Sequence, residues 1–132
     1  MSTSATEVKN VPENRTIVVA DDDAVTARLV EATLQAAGFN LIVAPNGQAA
    51  LRAVISAKPW VLVLDLGMPG MTGFEVLERL NMLTDLVRPK VLVMSAQREI
   101  DDIQRALALG ADGYLAKPFK PQDLIARVNR FA

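Results

Sequence analysis

The run Trp60-Val61-Leu62-Val63-Leu64 is apolar on both of its alternating faces and ends in a lone acid, Asp65. Such a strand leaves no side for water, so it belongs at the centre of a parallel sheet, covered above and below by helices. Three other runs share the design. Thr16 to Ala20 ends in Asp21-Asp22-Asp23, Lys90 to Met94 ends in Ser95, and the short Gly113-Tyr114-Leu115-Ala116 ends in Lys117. Asn40 to Ala44 reads as a further short strand. Helical patterns fill the intervals. Ala24 to Ala37 sets Val25, Leu29, Ala32 and Ala36 on one face and stops at Gly38. Asn46, a good N-cap, opens a helix through Ala57 with Ala50, Leu51, Val54 and Ile55 at helical spacing. Phe74 to Met82 turns Phe74, Leu77 and Leu80 inward, and Arg98 to Leu109 forms a fourth helix. Pro121 starts the last, whose stripe is Leu124, Ile125, Val128 and Phe131. Five β/α units of this kind predict an open α/β sandwich of three layers with right-handed crossovers.

In a parallel sheet the carboxyl ends of the strands share one edge, and ligands bind there. Acids, a hydroxyl and an ammonium therefore converge. Adjacent carboxylates repel one another, so at least one in the cluster is expected to hold its proton more tightly than usual. A hard divalent cation with oxygen ligands relieves that repulsion. The rest of the composition narrows the chemistry. The 132 residues suffice for one domain, and 51% are hydrophobic, enough for a core. No cysteine and no histidine occur, which excludes thiolate and imidazole chemistry and metal sites built on either. A net charge of −1 gives no pull towards nucleic acid or an anionic membrane. Residues 1–14 are polar, lack the apolar core of a signal peptide, and read as a flexible tail. No run is long enough to span a bilayer, so a soluble, cytoplasmic domain is expected.

Four segments, in order and each at a strand end, resemble the response-regulator receiver domain, the phosphoacceptor module of two-component signalling. They are Val19-Ala20-Asp21-Asp22-Asp23, Leu64-Asp65-Leu66-Gly67-Met68-Pro69-Gly70, Val93-Met94-Ser95-Ala96 and Gly113-Tyr114-Leu115-Ala116-Lys117-Pro118-Phe119. The resemblance covers residues 15–132. It implies a flavodoxin-like (βα)5 fold with strand order 2-1-3-4-5. It also implies a phosphoacceptor, Asp65, whose isolation beside a glycine-rich loop suits close approach of a phosphate. Asp21, Asp22, Asp65 and the Gly67 carbonyl would hold Mg²⁺ or Mn²⁺. Lys117 would pair with the acids and then with phosphate, across a cis Lys117–Pro118 peptide. Ser95 would hydrogen-bond the phosphoryl group, with small Ala96 leaving the pocket open. Tyr114 would be the switch aromatic. Read alone, Ser95 is equally a turn residue, Tyr114 a half-buried amphipathic side chain, and Asp23 the N-cap of the first helix rather than a ligand. Gly67 and Gln97 are the candidates for setting the phosphorylated lifetime, Gln97 because its amide can orient a water. Trp60, about 16 Å from Asp65 along the strand, reads as sheet-end packing.

The implied partners are a sensor histidine kinase or a histidine phosphotransfer protein upstream. Downstream, a protein target would bind the face made by the fourth helix, fifth strand and fifth helix, with no direct nucleic-acid or membrane contact. The chain would act as a monomer or a phosphorylation-dependent dimer. Ending at Ala132, it reads as a stand-alone receiver, with a receiver fragment of a longer DNA-binding or enzymatic regulator, or a phosphorylation-independent docking module, as alternatives. A turnover enzyme is disfavoured. A haloacid-dehalogenase-type phosphatase needs an acid two residues after its nucleophile, and that place is Gly67. There is no P-loop, and 5% aromatic residues are few for a flavin binder. The site, not the fold, carries the distinction.

Overall fold

A computed structural model describes residues 12–96 and 100–132. The strands are β1 (Thr16–Ala20), β2 (Asn40–Ala44), β3 (Val61–Asp65), β4 (Lys90–Ser95) and β5 (Gly113–Ala116). They alternate with α1 (Ala24–Ala36), α2 (Gly47–Ala57), α3 (Gly73–Met82), α4 (Ile100–Ala108) and α5 (Pro121–Asn129). All pairings are parallel, in the order β2-β1-β3-β4-β5. Every residue of β3 is buried, as its two-sided apolar pattern requires. Asp65 closes that strand and Ser95 closes β4, each one residue further than the apolar runs suggest. Of the segment read as a tail, residues 1–11 lie outside the described residues. Its end is fastened: Asn14 donates its amide to the Lys58 carbonyl and accepts the Thr16 N–H at 3.0 Å.

The alternation along each strand divides the core into two layers. Ile17, Val19, Val61, Val63, Leu92 and Met94 face α1 and α5, where Val30, Leu34, Leu124, Ile125 and Val128 meet them. Val18, Ala20, Leu62, Leu64, Val91 and Val93 face α2, α3 and α4. Asp23, Asn46 and Thr72 cap α1, α2 and α3 by accepting the N–H groups of Val25, Ala49 and Glu75. Gly38 leaves α1 at φ +99°, a conformation that a side chain would strain. Trp60 stacks on Phe39 with ring centroids 5.7 Å apart, at the end of the sheet remote from Asp65.

Several helix faces differ from the sequence expectation. In α1 the buried side chains are Ala27, Val30 and Leu34, whereas Val25 is 78% exposed and Leu29 lies at the surface. This helix carries two apolar stripes. The one with Val30 and Leu34 presents bulk at the sheet, while half of the other is alanine, which fills little of the layer. In α2, Ala50 and Val54 are buried but Ile55 is exposed. In α3, Val76 joins Leu77 and Leu80 inside, and Phe74 is half-buried under the Arg105 guanidinium, 4.2 Å from its ring centroid. Phe131 lies beyond the end of α5 and packs against the layer only in part. The predicted start of α4, residues 98 and 99, lies outside the described residues.

The two stripes of α1 are separable by experiment. Leu34→Ala is expected to cost about 2–5 kcal/mol through lost burial and a residual cavity. Val25→Ala should change stability by no more than about 0.5 kcal/mol. Urea unfolding checks both, and comparable losses in the two variants would overturn the assignment of faces.

Candidate functional site

The residues singled out in the sequence come together where the strands end. Asp21 follows β1, Asp65 and Ser95 close β3 and β4, and Lys117 follows β5. Backbone bonds carry the sheet ladder past the strand ends and fix these positions. The N–H of Asp21 donates to Ala44 O at 3.2 Å, that of Leu66 to Met94 O at 3.0 Å, and that of Lys117 to Ser95 O at 2.9 Å. Asp21, Asp65 and Ser95 are buried, while Asp22 is exposed. Each buried acid is steadied by its own loop. Asp21 Oδ1 accepts the Asp23 N–H at 2.9 Å, and Asp65 Oδ1 accepts the Gly67 N–H at 3.2 Å.

Lys117 supplies the cation. Its Nζ donates to Asp21 Oδ2 at 2.7 Å and lies 3.4 Å from Asp65 Oδ1. The Lys117–Pro118 peptide is cis. These charges alter titration. Burial pushes the Asp65 carboxyl up, the Gly67 N–H opposes this, and the neighbouring Asp21 adds to the rise. Burial works against a charged Lys117, but its hydrogen bond to Asp21 and the attraction of Asp65 outweigh that, so the ammonium is held more tightly than usual. Within the acidic triplet, Asp23 moves the other way. The Thr26 hydroxyl, 2.7 Å away, and the Val25 N–H both favour its charged form. The raised carboxyl is thus Asp65 of the second loop, where burial supplies what adjacency alone does not.

Carboxylate oxygens of Asp21, Asp22 and Asp65 lie within 4.8 Å of one another. Three acids against one ammonium leave negative charge uncompensated, and an all-oxygen donor set suits a hard divalent cation such as Mg²⁺ or Mn²⁺. Gly67, Ser95 and Ala96 line the same hollow, of about 270 Å³. A larger groove of about 410 Å³, between the end of α2 and the α3–β4 loop, contains none of these groups. Tyr114 is half-buried against the layer under α2, α3 and α4. Gln97 lies outside the described residues.

One residue of the site was not legible in the sequence. Gly73, the first residue of α3, packs on the backbone of the acid loop. A Cβ there would stand 2.5 Å from Asp65 O and 2.7 Å from Leu66 Cα. In the sequence it reads only as one more loop glycine before the helix expected from Phe74, and nothing local marks this close approach.

Comparison with known proteins places the chain. The model of the response regulator receiver domain matches residues 17–129. The chain belongs to that family. Receivers are signalling phosphoacceptors that work with histidine kinases and downstream effectors, and they bind Mg²⁺ through acidic residues. Among curated relatives, the phosphate regulon transcriptional regulatory protein PhoB of Pseudomonas aeruginosa is 33% identical over 115 residues, 87% of this chain and 50% of that protein. The receiver thus spans about half the length of the curated relatives it matches. The chemotaxis protein CheY4 of Vibrio cholerae superposes with a TM-score of 0.84 at 30% identity, covering 90% of this chain and 99% of that one. The sheet order is that of the same flavodoxin-like fold. A response regulator of Burkholderia pseudomallei, solved with a phosphorylated aspartic acid, calcium ion and citrate, aligns at TM-score 0.78 and 26% identity, over 86% of this chain and 66% of that one.

The raised Asp65 carboxyl gives a prediction with a definite sign. Between the ordinary aspartate value of 3.8 and the raised one, the folded state binds the proton more tightly than the unfolded chain. Ionising Asp65 therefore lowers stability as the pH rises through that window. In the presence of chelator, Asp65→Asn is expected to melt above wild type at neutral pH. The gap should close as the pH falls towards 3.8. Calorimetry across pH checks this, and a variant that melts lower at neutral pH contradicts it.

Proposed function

We propose that Asp65 is the phosphoacceptor of this receiver, taking a phosphoryl group from the phosphohistidine of a sensor kinase or a histidine phosphotransfer protein. The observation that carries the reading is the buried Asp65 carboxylate, 3.4 Å from the Lys117 ammonium and grouped with Asp21 and Asp22. A carboxylate oxygen of Asp65 attacks phosphorus, the bond from phosphorus to the donor's nitrogen breaks, and the leaving imidazole takes up a proton. An acyl phosphate on Asp65 remains. Asp21, Asp22, Asp65 and the Gly67 carbonyl would hold Mg²⁺ or Mn²⁺, which when bound neutralises phosphoryl oxygens.

Lys117 holds the acids in place before transfer and is the cation within reach of the new phosphoryl group. Ser95, beside it, offers a hydroxyl, and Ala96 keeps the approach open. These 132 residues contain no histidine, so the donor lies outside them. Gly67 brings no acid that would make the site a phosphatase, so the domain is a phosphoacceptor that phosphorylates and dephosphorylates itself rather than a turnover enzyme. Gln97 sets the lifetime by orienting water. Output is a change at the face of α4, β5 and α5, with Tyr114 as its switch aromatic and a protein as its target. The absence of direct nucleic-acid contact is inferred from the net charge of −1.

Intact-protein mass spectrometry after incubation with acetyl phosphate tests the reading. One phosphoryl adduct is expected on wild type with Mg²⁺, and none on Asp65→Asn or with chelator. Absence of an adduct on folded wild type would sink the phosphoacceptor reading in favour of a docking module. In the same assay Gln97→Ala is expected to lose its adduct several-fold more slowly. A decay identical to wild type would remove Gln97 from the account.

A further inference from the structure

The turn between β2 and α2 touches both loops that carry the acids. On one side, the Ala44 carbonyl accepts the backbone N–H of Asp21 at 3.2 Å. On the other, Gly47 at the start of α2 lies against Met71, in the loop that follows Asp65. A Cβ on Gly47 would stand 2.9 Å from Met71 Cβ, Cγ and the carbonyl oxygen. Non-bonded carbons settle at about 3.5–4.0 Å, so any side chain here has to push Met71 away.

Neither partner has much freedom to yield. Asn46 caps α2 through the Ala49 N–H at 2.8 Å, and its carbonyl accepts the Ala50 N–H at 3.0 Å. Gly47 and Ala50 are buried. The loop is braced on its far side, where the Gly73 N–H meets Leu66 O at 3.3 Å and Gly73 packs directly on the Asp65 carbonyl. Leu66 and Met68 are buried within it. Displacing Met71 therefore moves the segment from Asp65 to Met71 or tilts the start of α2, and α2 is tied through Ala44 to Asp21.

We propose that Gly47 is a positioning residue for the acid site: its missing side chain seats Met71, and the β2–α2 turn thereby sets the spacing of the Asp21 and Asp65 loops. This rests on the acceptor reading of Asp65. A packing glycine alone would affect stability. A positioning glycine also affects metal affinity and phosphorylation in protein that is fully folded.

The test compares wild type, Gly47→Ala, Met71→Ala and Gly38→Ala. The last is a control, since Gly38 has φ +99° and its Cβ would meet only Arg15, at 3.5 Å, far from the acids. Calorimetric Mg²⁺ titration and the initial rate of acetyl phosphate incorporation are read at a temperature where circular dichroism shows each variant folded. Gly38→Ala is expected to melt lower yet bind and react like wild type. Gly47→Ala should bind Mg²⁺ and incorporate phosphate about tenfold less well, since even ~1 Å of misplacement can cost as much as ~100-fold. Met71→Ala, which removes the seated side chain without adding bulk, should shift both readouts in the same direction by less. It decides the matter if Gly47→Ala does not fold. Lower melting with unchanged affinity and rate in Gly47→Ala, or unchanged values in Met71→Ala when it alone folds, would overturn the positioning role. A wild type that takes up no phosphate would instead overturn the acceptor reading beneath it.

Discussion

Lys117 allows two buried carboxylates to remain at one edge of a sheet. Asp21 and Asp65 follow or end adjacent parallel strands, so the register of β1 and β3 brings their loops together whether or not the charges agree. Burial penalises both anions, and each penalises the other. The ammonium at 2.7 Å from Asp21 and 3.4 Å from Asp65 offsets that cost. It reaches them from β5, two strands away from β3, because the ladder bond from Lys117 N to Ser95 O aligns the strand ends. The arrangement is held by the sheet and balanced by one cation, which leaves it short of positive charge.

That shortage governs what the site can do. A carboxylate pushed up in pKa is a better nucleophile, because its lone pairs are less well satisfied by their surroundings. A phosphoryl group on Asp65, as proposed, would bring more negative charge than the carboxylate it masks. One ammonium could not balance the result, so the proposed chemistry calls for a divalent cation among the acids as well as for Lys117. The surrounding structure is uneven. The Asp65 loop is pinned by close contacts at Gly47 and Gly73. By contrast, Ala106 is the single buried residue of α4 among those described. That helix is held to α3 largely from its surface, by Arg105 over Phe74 and beside Glu78 at 3.7 Å. Local stability follows apolar burial, so α4 is the helix whose position is least costly to change.

Much of the fold and of the site was legible in the chain because apolar runs announce buried strands, and the polar residues at their carboxyl ends land on one edge. Asn46 and Pro121 marked helix starts through chemistry that is local to them. The inward face of α1 was not legible. Val25, Leu29, Ala32 and Ala36 form as regular a stripe as Ala27, Val30 and Leu34, and periodicity does not say which one meets the sheet. Gly47 and Gly73 escaped for a different reason. Their significance lies in what a Cβ would strike, Met71 in one case and the Asp65 backbone in the other, and both contacts exist only after folding. The raised carboxyl was likewise placed among adjacent acids by sequence, whereas burial assigns it to Asp65.

The same physics separates a signal from a catalyst. Fast turnover of an acyl phosphate needs a group that activates water beside the phosphorus. Gly67, whose Cβ would lie 3.9 Å from Asp65 Oδ1, is the position from which an acid would do so. With hydrogen there, the loop keeps its backbone N–H on Asp65 and contributes no base. Among the described residues, the charged groups gathered at Asp65 are Lys117, which stabilises charge, and the two other acids, which repel an incoming hydroxide. On the proposed reading of Asp65 these three would favour holding the phosphoryl group, which leaves its release to a water-orienting group such as Gln97. In the proposed reading, that is the behaviour of a signal rather than of a catalyst.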